Sequence, residues 1–213
     1  MIAATLTANT TLWYIARGTG IVSVMLLSAS VALGIITVLR WKSPRFPRFV
    51  TAALHKNVSL LAAVFLGVHI LTTVLDPVSP VHLFNAIVPF SGTYRPLAIG
   101  LGVVAFDLLA ALIVSSLLRN RIGLRAWRAI HWSAYACWPF AMLHGITAGT
   151  DASTPWVRMI YAGCSALIFG AVAWRAGVAL APPKPARRPA LDRGPAAAPA
   201  DRRRDDELVG ARS

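Results

Sequence analysis

Acidic residues are scarce in this chain. Only eight of its 213 residues are Asp or Glu, against 21 Lys and Arg, and five of those acids lie in the last 32 residues. The other three are Asp76, Asp107 and Asp151. Hydrolytic sites that use paired carboxylates therefore have almost no material. Because 56% of the residues are hydrophobic, the composition predicts an integral membrane protein rather than a soluble domain.

Cysteine is also rare, and the common cofactor motifs built on it are missing. Cys137 and Cys164 lie inside apolar segments, and no CxxCH, CxxC or cluster spacing occurs. This excludes a disulfide scaffold, covalent c-type haem attachment and an iron-sulfur cluster. The basic residues lie at the ends of apolar segments and in the tail, not on a face shared with aromatics, so nucleic acid is not an expected partner.

Long apolar segments dominate what is present. Five of them have the roughly 20 residues needed to cross a ~30 Å hydrocarbon core as a helix. The start of the chain lacks a basic region and cleavage site before its apolar run, so the first segment is predicted to be retained. The sequence thus predicts an all-α membrane bundle of five transmembrane helices. These cover about residues 15–39, 50–75, 96–118, 129–149 and 157–180.

Basic residues in the short connections predict the orientation. Eight Lys and Arg follow the first and third segments, and three lie on the opposite side. By the positive-inside rule the N-terminus is outside and the C-terminus is cytoplasmic, as in a multi-pass plasma membrane protein. Residues 1–181 are predicted to form one membrane domain in contact with lipid. Residues 182–213, rich in Pro, Ala and Arg, are predicted to be a disordered basic cytoplasmic tail.

Four of the five histidines lie inside two of the predicted spans. His55 and His69 are 14 residues apart, and His131 and His144 are 13 residues apart. Ionisable residues inside a span are costly and indicate function. The two spans run in the same direction, so His55 shares a depth with His131, and His69 with His144. Each pair offers two axial nitrogens for a b-type haem, and two levels ~20 Å apart would form an electron route across the bilayer.

The spacing of the second pair requires a local distortion. Fourteen residues at ~100° each return to within ~40° of the starting face, whereas thirteen miss it by ~140°. Pro139, between His131 and His144, is predicted to kink the helix and help aim His144. Zinc is a weaker alternative, because it needs three or four ligands at one place. His82, in the outer connection, is predicted to be a surface residue.

Several motifs together resemble the ferric reductase-like transmembrane superfamily over about residues 13–178. They are ARGTG at 16–20, the His55 and His69 pair, WRAIHWSAY at 127–135 and LHGITAGTD at 143–151. The superfamily includes ferric reductases, the membrane part of NADPH oxidases and the haem subunit of periplasmic methionine sulfoxide reductase systems. The resemblance implies two b haems with axial ligands His55, His69, His131 and His144. It also implies that Arg17, in the family's arginine position, contacts an outer haem propionate.

The chain departs from the family's larger members because no flavin and NADPH domain follows the spans. The expected donor is therefore a separate flavoprotein, a flavin (FMN or FAD) or a membrane quinol. The expected acceptor is outside: ferric iron, a flavin-bearing protein or a methionine sulfoxide reductase. The chain would then be an oxidoreductase component that needs a partner. Two alternatives stay open: a quinone-linked cytochrome b subunit of a larger complex, and a non-redox module that handles haem or metal.

Other residues are weaker candidates for the site. Basic side chains at the cytoplasmic end suit the inner haem propionates, and two residues near the outer end suit the outer ones. A carboxylate in the third span is a candidate for proton relay, for a quinone site or for a structural role. Two residues of the fourth span lie between the haem levels. In this order they are Lys56, Arg125 and Arg128; Tyr94 and Arg95; Asp107; and Cys137 and Trp138.

Overall fold

The computed structural model describes residues 2–39 and 47–181. The predicted tail, 182–213, and part of the first basic connection lie outside these ranges. Within them the chain is helical and no strand occurs, which confirms the all-α class. The helices are α1 Ile2–Val38, α2 Arg48–Leu75, α3 Leu83–Ile87, α4 Pro96–Leu117, α5 Arg119–His131, α6 Ala134–Ala148 and α7 Pro155–Leu180.

Four of these helices are long and apolar enough to cross a membrane: α1, α2, α4 and α7. Their apolar residues are mostly not buried inside the protein. In α2 only 11% of the most apolar window is buried, and Leu60 and Leu71 are exposed. Lipid, unlike water, accepts such side chains without cost. The chain is therefore a membrane protein, as its composition predicted.

The predicted span at 129–149 is divided in the structure. His131 is the last residue of α5, and α6 has 15 residues, a length of ~22 Å that is shorter than the ~30 Å core. At the junction, the N–H groups of Ser133, Tyr135 and Ala136 donate to carbonyls three residues back, at 2.9 to 3.1 Å. Such a tight turn advances each residue by ~120° instead of ~100°. Part of the mismatch between His131 and His144 is thus recovered at this junction, whereas α6 is assigned as continuous helix through Pro139.

The helices pack in two pairs with a shared core. α1 packs along α2, while α6 lies against both α4 and α1. A buried cluster then joins α7 to α1 and α6, and it includes Val24, Trp138 and Tyr161. Within this core, the Trp138 indole N–H donates to the hydroxyl of the fully buried Ser28 at 2.8 Å. The buried indole has a hydrogen-bond partner, so its burial leaves no unsatisfied donor.

The connection between α2 and α4 lies back against the bundle. It contains the short helix α3 and then Phe90, whose backbone is in the left-handed region at φ 62°. The Phe90 ring occupies the space that a side chain on Gly100 of α4 would need, 2.2 Å from the position of an ideal Cβ. Gly100 therefore permits the connection to cover the end of the bundle near His69 and His144.

Candidate functional site

The four histidines of α2, α5 and α6 come together as two pairs. The ring centroids of His55 and His131 are 6.3 Å apart, and those of His69 and His144 are also 6.3 Å apart. The interplanar angles are 79° and 76°. These are the pairs that the sequence predicted from depth. We call the first pair the inner level and the second the outer level.

The separation of the rings fits one metal ion between each pair. A metal held by two opposed imidazole nitrogens, with ~2.0 Å bonds and ~1.15 Å from each nitrogen to its ring centroid, separates the centroids by ~6.3 Å. Within the described ranges, no group of three or more His, Cys, Asp or Glu residues could hold a metal. Each level therefore offers two facing ligands, as a six-coordinate haem iron requires, and not a tetrahedral set.

Three of the four rings are oriented by a backbone carbonyl of a neighbouring helix. A carbonyl only accepts hydrogen bonds, so Nδ1 carries the proton and Nε2 keeps its lone pair for a metal. Such contacts fix the ring plane and raise the basicity of the ligand. They join His69 to Ala16 at 2.7 Å, His144 to Ala98 at 2.8 Å and His55 to Ser30 at 2.9 Å.

A glycine four residues after each of these carbonyls makes room for the ring. An ideal Cβ would lie 2.5 Å from His144 at Gly102, 3.0 Å from His69 at Gly20 and 3.4 Å from His55 at Gly34. Sequence reasoning missed these glycines, although a signal was present. Each closes a small-xxx-Gly motif, which lets helices approach closely in membranes. The motifs are ARGTG at 16–20, SVALG at 30–34 and AIGLG at 98–102.

His131 is held differently from the other three histidines. Its Nδ1 is buried and has no hydrogen-bond partner. The ring instead stacks on Trp127, one turn earlier in α5, with centroids 4.8 Å apart and an interplanar angle of 27°. Trp127 is itself fixed, since its indole N–H donates to the Ser116 hydroxyl at 3.3 Å and Arg119 lies 5.2 Å from its ring. An aromatic stack therefore replaces the carbonyl at this position.

A cavity of about 650 Å³ contains the outer level. It is lined by His69, His144 and residues of α1, α2, α4 and the connection around α3. This volume lies within the ~300–1,000 Å³ of typical ligand pockets. The cavity places the outer histidines in a space that can hold a bound cofactor.

Arg17 lines this cavity and forms an ion pair with Asp151. Its guanidinium carbon also lies 3.8 Å from the centroid of the Trp13 ring. Arg17 Nε is buried and has no hydrogen-bond partner, so one donor is left for a ligand. The predicted contact with a haem propionate stays a prediction. Asp151, which sequence reasoning left without a role, is the residue that holds the arginine here.

The weaker candidates lie mostly on the surface or in the core. Asp107 is exposed on α4 and is not among the residues that line the outer cavity. Cys137 and Trp138 are buried, and the Cys137 thiol lies 3.3 Å from the Ala105 carbonyl. His82 is exposed, as predicted, and caps α3. The exposed basic and aromatic candidates are Lys56, Tyr94, Arg95, Arg125 and Arg128.

The fold and the site define a helical membrane protein with paired histidines at two levels. A family model described as ferric reductase like transmembrane component matches residues 19–142. The chain belongs to this family, as its motifs suggested. The matched region contains His55, His69 and His131 and ends two residues before His144. No curated protein and no solved structure matches the chain.

Proposed function

We propose that this chain is a di-haem b-type cytochrome that carries electrons across the plasma membrane. His55 and His131 would hold the inner haem, and His69 and His144 the outer one. The observation that carries the proposal is the equal 6.3 Å separation of the two pairs. Membership of a family that typically binds haem supports it. Bound haem supplies a one-electron iron couple.

The chain's own residues would orient the ligands and exclude water. Three carbonyls hold imidazole rings in the tautomer that leaves Nε2 free, and three glycines give those rings space. The core around Trp138 and Met142 fills the bundle between the two levels. Arg17, with its unpaired Nε, is the proposed contact for an outer propionate. These features hold two redox groups at fixed depths without further chemistry by the protein.

The orientation and partners belong to the same proposal. The last turns of α5 together with α6 would make the fifth crossing, with the N-terminus outside. A separate flavoprotein, a flavin or a membrane quinol would reduce the inner haem. The outer haem would pass electrons to ferric iron, a flavin protein or a methionine sulfoxide reductase. The chain would thus be one component of an oxidoreductase system, embedded in lipid.

The decisive test is a redox titration of purified protein with haem counted per chain. We expect two haems in the wild type and loss of about half in both His69→Ala and His144→Ala, because each variant removes one ligand of the same site. His82→Ala is the matched control, since this histidine is exposed and outside both pairs. Loss of all haem, or of none, in the two variants would contradict the two-site arrangement.

A further inference from the structure

Buried polar atoms without partners gather at one end of the bundle. In the described part of the chain, four buried side-chain nitrogen or oxygen atoms have no hydrogen-bond partner. One of them, Arg17 Nε, belongs to the outer cavity. Burying such groups unpaired costs free energy, so native proteins rarely do so without a ligand or water. The other three are His131 Nδ1, Ser133 Oγ and Arg175 Nη1.

These three atoms surround the junction between α5 and α6. His131 and Ser133 flank Trp132 in the chain, and Arg175 approaches from the last turns of α7. Its guanidinium carbon lies 5.4 Å from the Trp132 ring and 6.0 Å from the Tyr135 ring. The two aromatic rings lie 5.3 Å apart. Arg175 therefore stands beside the two aromatics on either side of Ser133.

All three groups can donate a hydrogen bond. An arginine has donors only, and a serine hydroxyl can donate. If His131 binds metal through Nε2, as in the proposed function on which this step rests, its Nδ1 must carry the proton. The acids within the described ranges lie elsewhere, since Asp76 and Asp151 line the outer cavity and Asp107 lies midway along α4. The cluster therefore offers donors with no acceptor at hand.

We propose that His131, Ser133 and Arg175 form a binding site for an oxyanion, either a carboxylate or a phosphate. Oxyanions accept several charge-assisted hydrogen bonds at once, and arginine suits them best. Two sources share this chemistry at the inner level: a propionate of the inner haem, and the phosphate of a phospholipid headgroup. Arg175 thus takes the role that the sequence gave to Lys56, Arg125 and Arg128, all of which are exposed.

The test uses the variants Arg175→Gln, Arg175→Lys and Ser133→Ala in the full chain. Arg158→Gln is the matched control, because Arg158 lies at the other end of α7 and is exposed. In the lipid arm, thermal unfolding in detergent is followed as phosphatidylglycerol or phosphatidylcholine is added. In the haem arm, haem per chain and the midpoint potential of the inner haem are measured.

If the source is lipid, phosphatidylglycerol stabilises the wild type and the control, and Arg175→Gln needs about tenfold more of it, the effect of one lost charge-assisted bond. If the source is a propionate, Arg175→Gln lowers the inner potential and haem retention, since a nearby positive charge favours the reduced iron. Arg175→Lys retains part of either effect, and Ser133→Ala loses part of it.

The proposal is overturned if Arg175→Gln matches Arg158→Gln in both arms. A wild type without haem would refute the proposed function instead, and the phosphatidylglycerol response would still decide whether the oxyanion site exists. A variant that fails to fold is replaced by Arg175→Lys and Ser133→Ala, whose partial losses carry the same comparison.

Discussion

At the scale of single residues, His131 differs most from the other proposed ligands. The other three rings are fixed by carbonyls, and a carbonyl contact sets both the tautomer and the ring plane. His131 has only the Trp127 ring against its face. A stacked indole restrains the tilt of an imidazole but accepts no hydrogen bond from Nδ1. The inner level should therefore depend on Trp127 more than the outer level depends on any one side chain.

Replacing Trp127 should weaken the inner haem selectively. In Trp127→Leu we expect about tenfold faster loss of one haem of two, as one orienting contact of ~1 kcal/mol or slightly more disappears. Trp127→Phe should retain most of the haem, because a flat ring remains. Haem per chain and the low-spin electron paramagnetic resonance signals would measure both effects.

Trp156→Leu is the control for this substitution, since Trp156 is exposed at the start of α7. Two low-spin signals at wild-type occupancy in Trp127→Leu would show that stacking does not position His131. Loss of both signals would indicate general unfolding, which Trp127→Phe would then also reveal.

At the scale of helices, the histidine pairs could be predicted and their supports could not. Spacing, charge counting and helix direction are enough to pair His55 with His131, because depth in a membrane follows from sequence position. The break before α6 escaped prediction, since hydropathy cannot distinguish one long span from two helices joined by a tight turn. The contact between Arg17 and Asp151 escaped as well, because it joins two elements distant in the chain.

The glycines opposite the histidine rings make a graded prediction. Overpacking costs ~1–3 kcal/mol, whereas Gly to Ala in a helix gains ~0.5–1 kcal/mol. Gly102→Ala, with an ideal Cβ 2.5 Å from His144, should therefore destabilise the protein and lower outer haem content. Gly20→Ala should do so less, and Gly34→Ala should be nearly neutral. Unfolding in denaturant and haem per chain would rank the three.

Gly67→Ala is the matched control, because Gly67 lies in α2 near His69 and an added Cβ meets nothing within 4 Å. It should be neutral or slightly stabilising. An order of effects that does not follow the three distances would mean that the rings move easily, and that these glycines serve helix packing only.

At the scale of the whole molecule, the two levels lie about 20 Å apart along α2, from the 14 residues between its histidines at ~1.5 Å each. Neither level alone connects the two sides of a ~30 Å core. Electron transfer across a membrane should therefore require both sites together. In vesicles that contain the protein and enclose ferricyanide, dithionite added outside should reduce the ferricyanide.

The variants His55→Ala and His69→Ala should each stop this transfer, although each should retain about one haem per chain. That combination separates a series arrangement from two independent sites. His82→Ala and vesicles without protein provide the controls for folding and for leakage. Transfer at the wild-type rate in either variant would mean that one level suffices, because the remaining haem would then reach both aqueous phases on its own. The stacked geometry of the two pairs favours the series arrangement, since each pair is confined to one depth by residues of the same two helical hairpins.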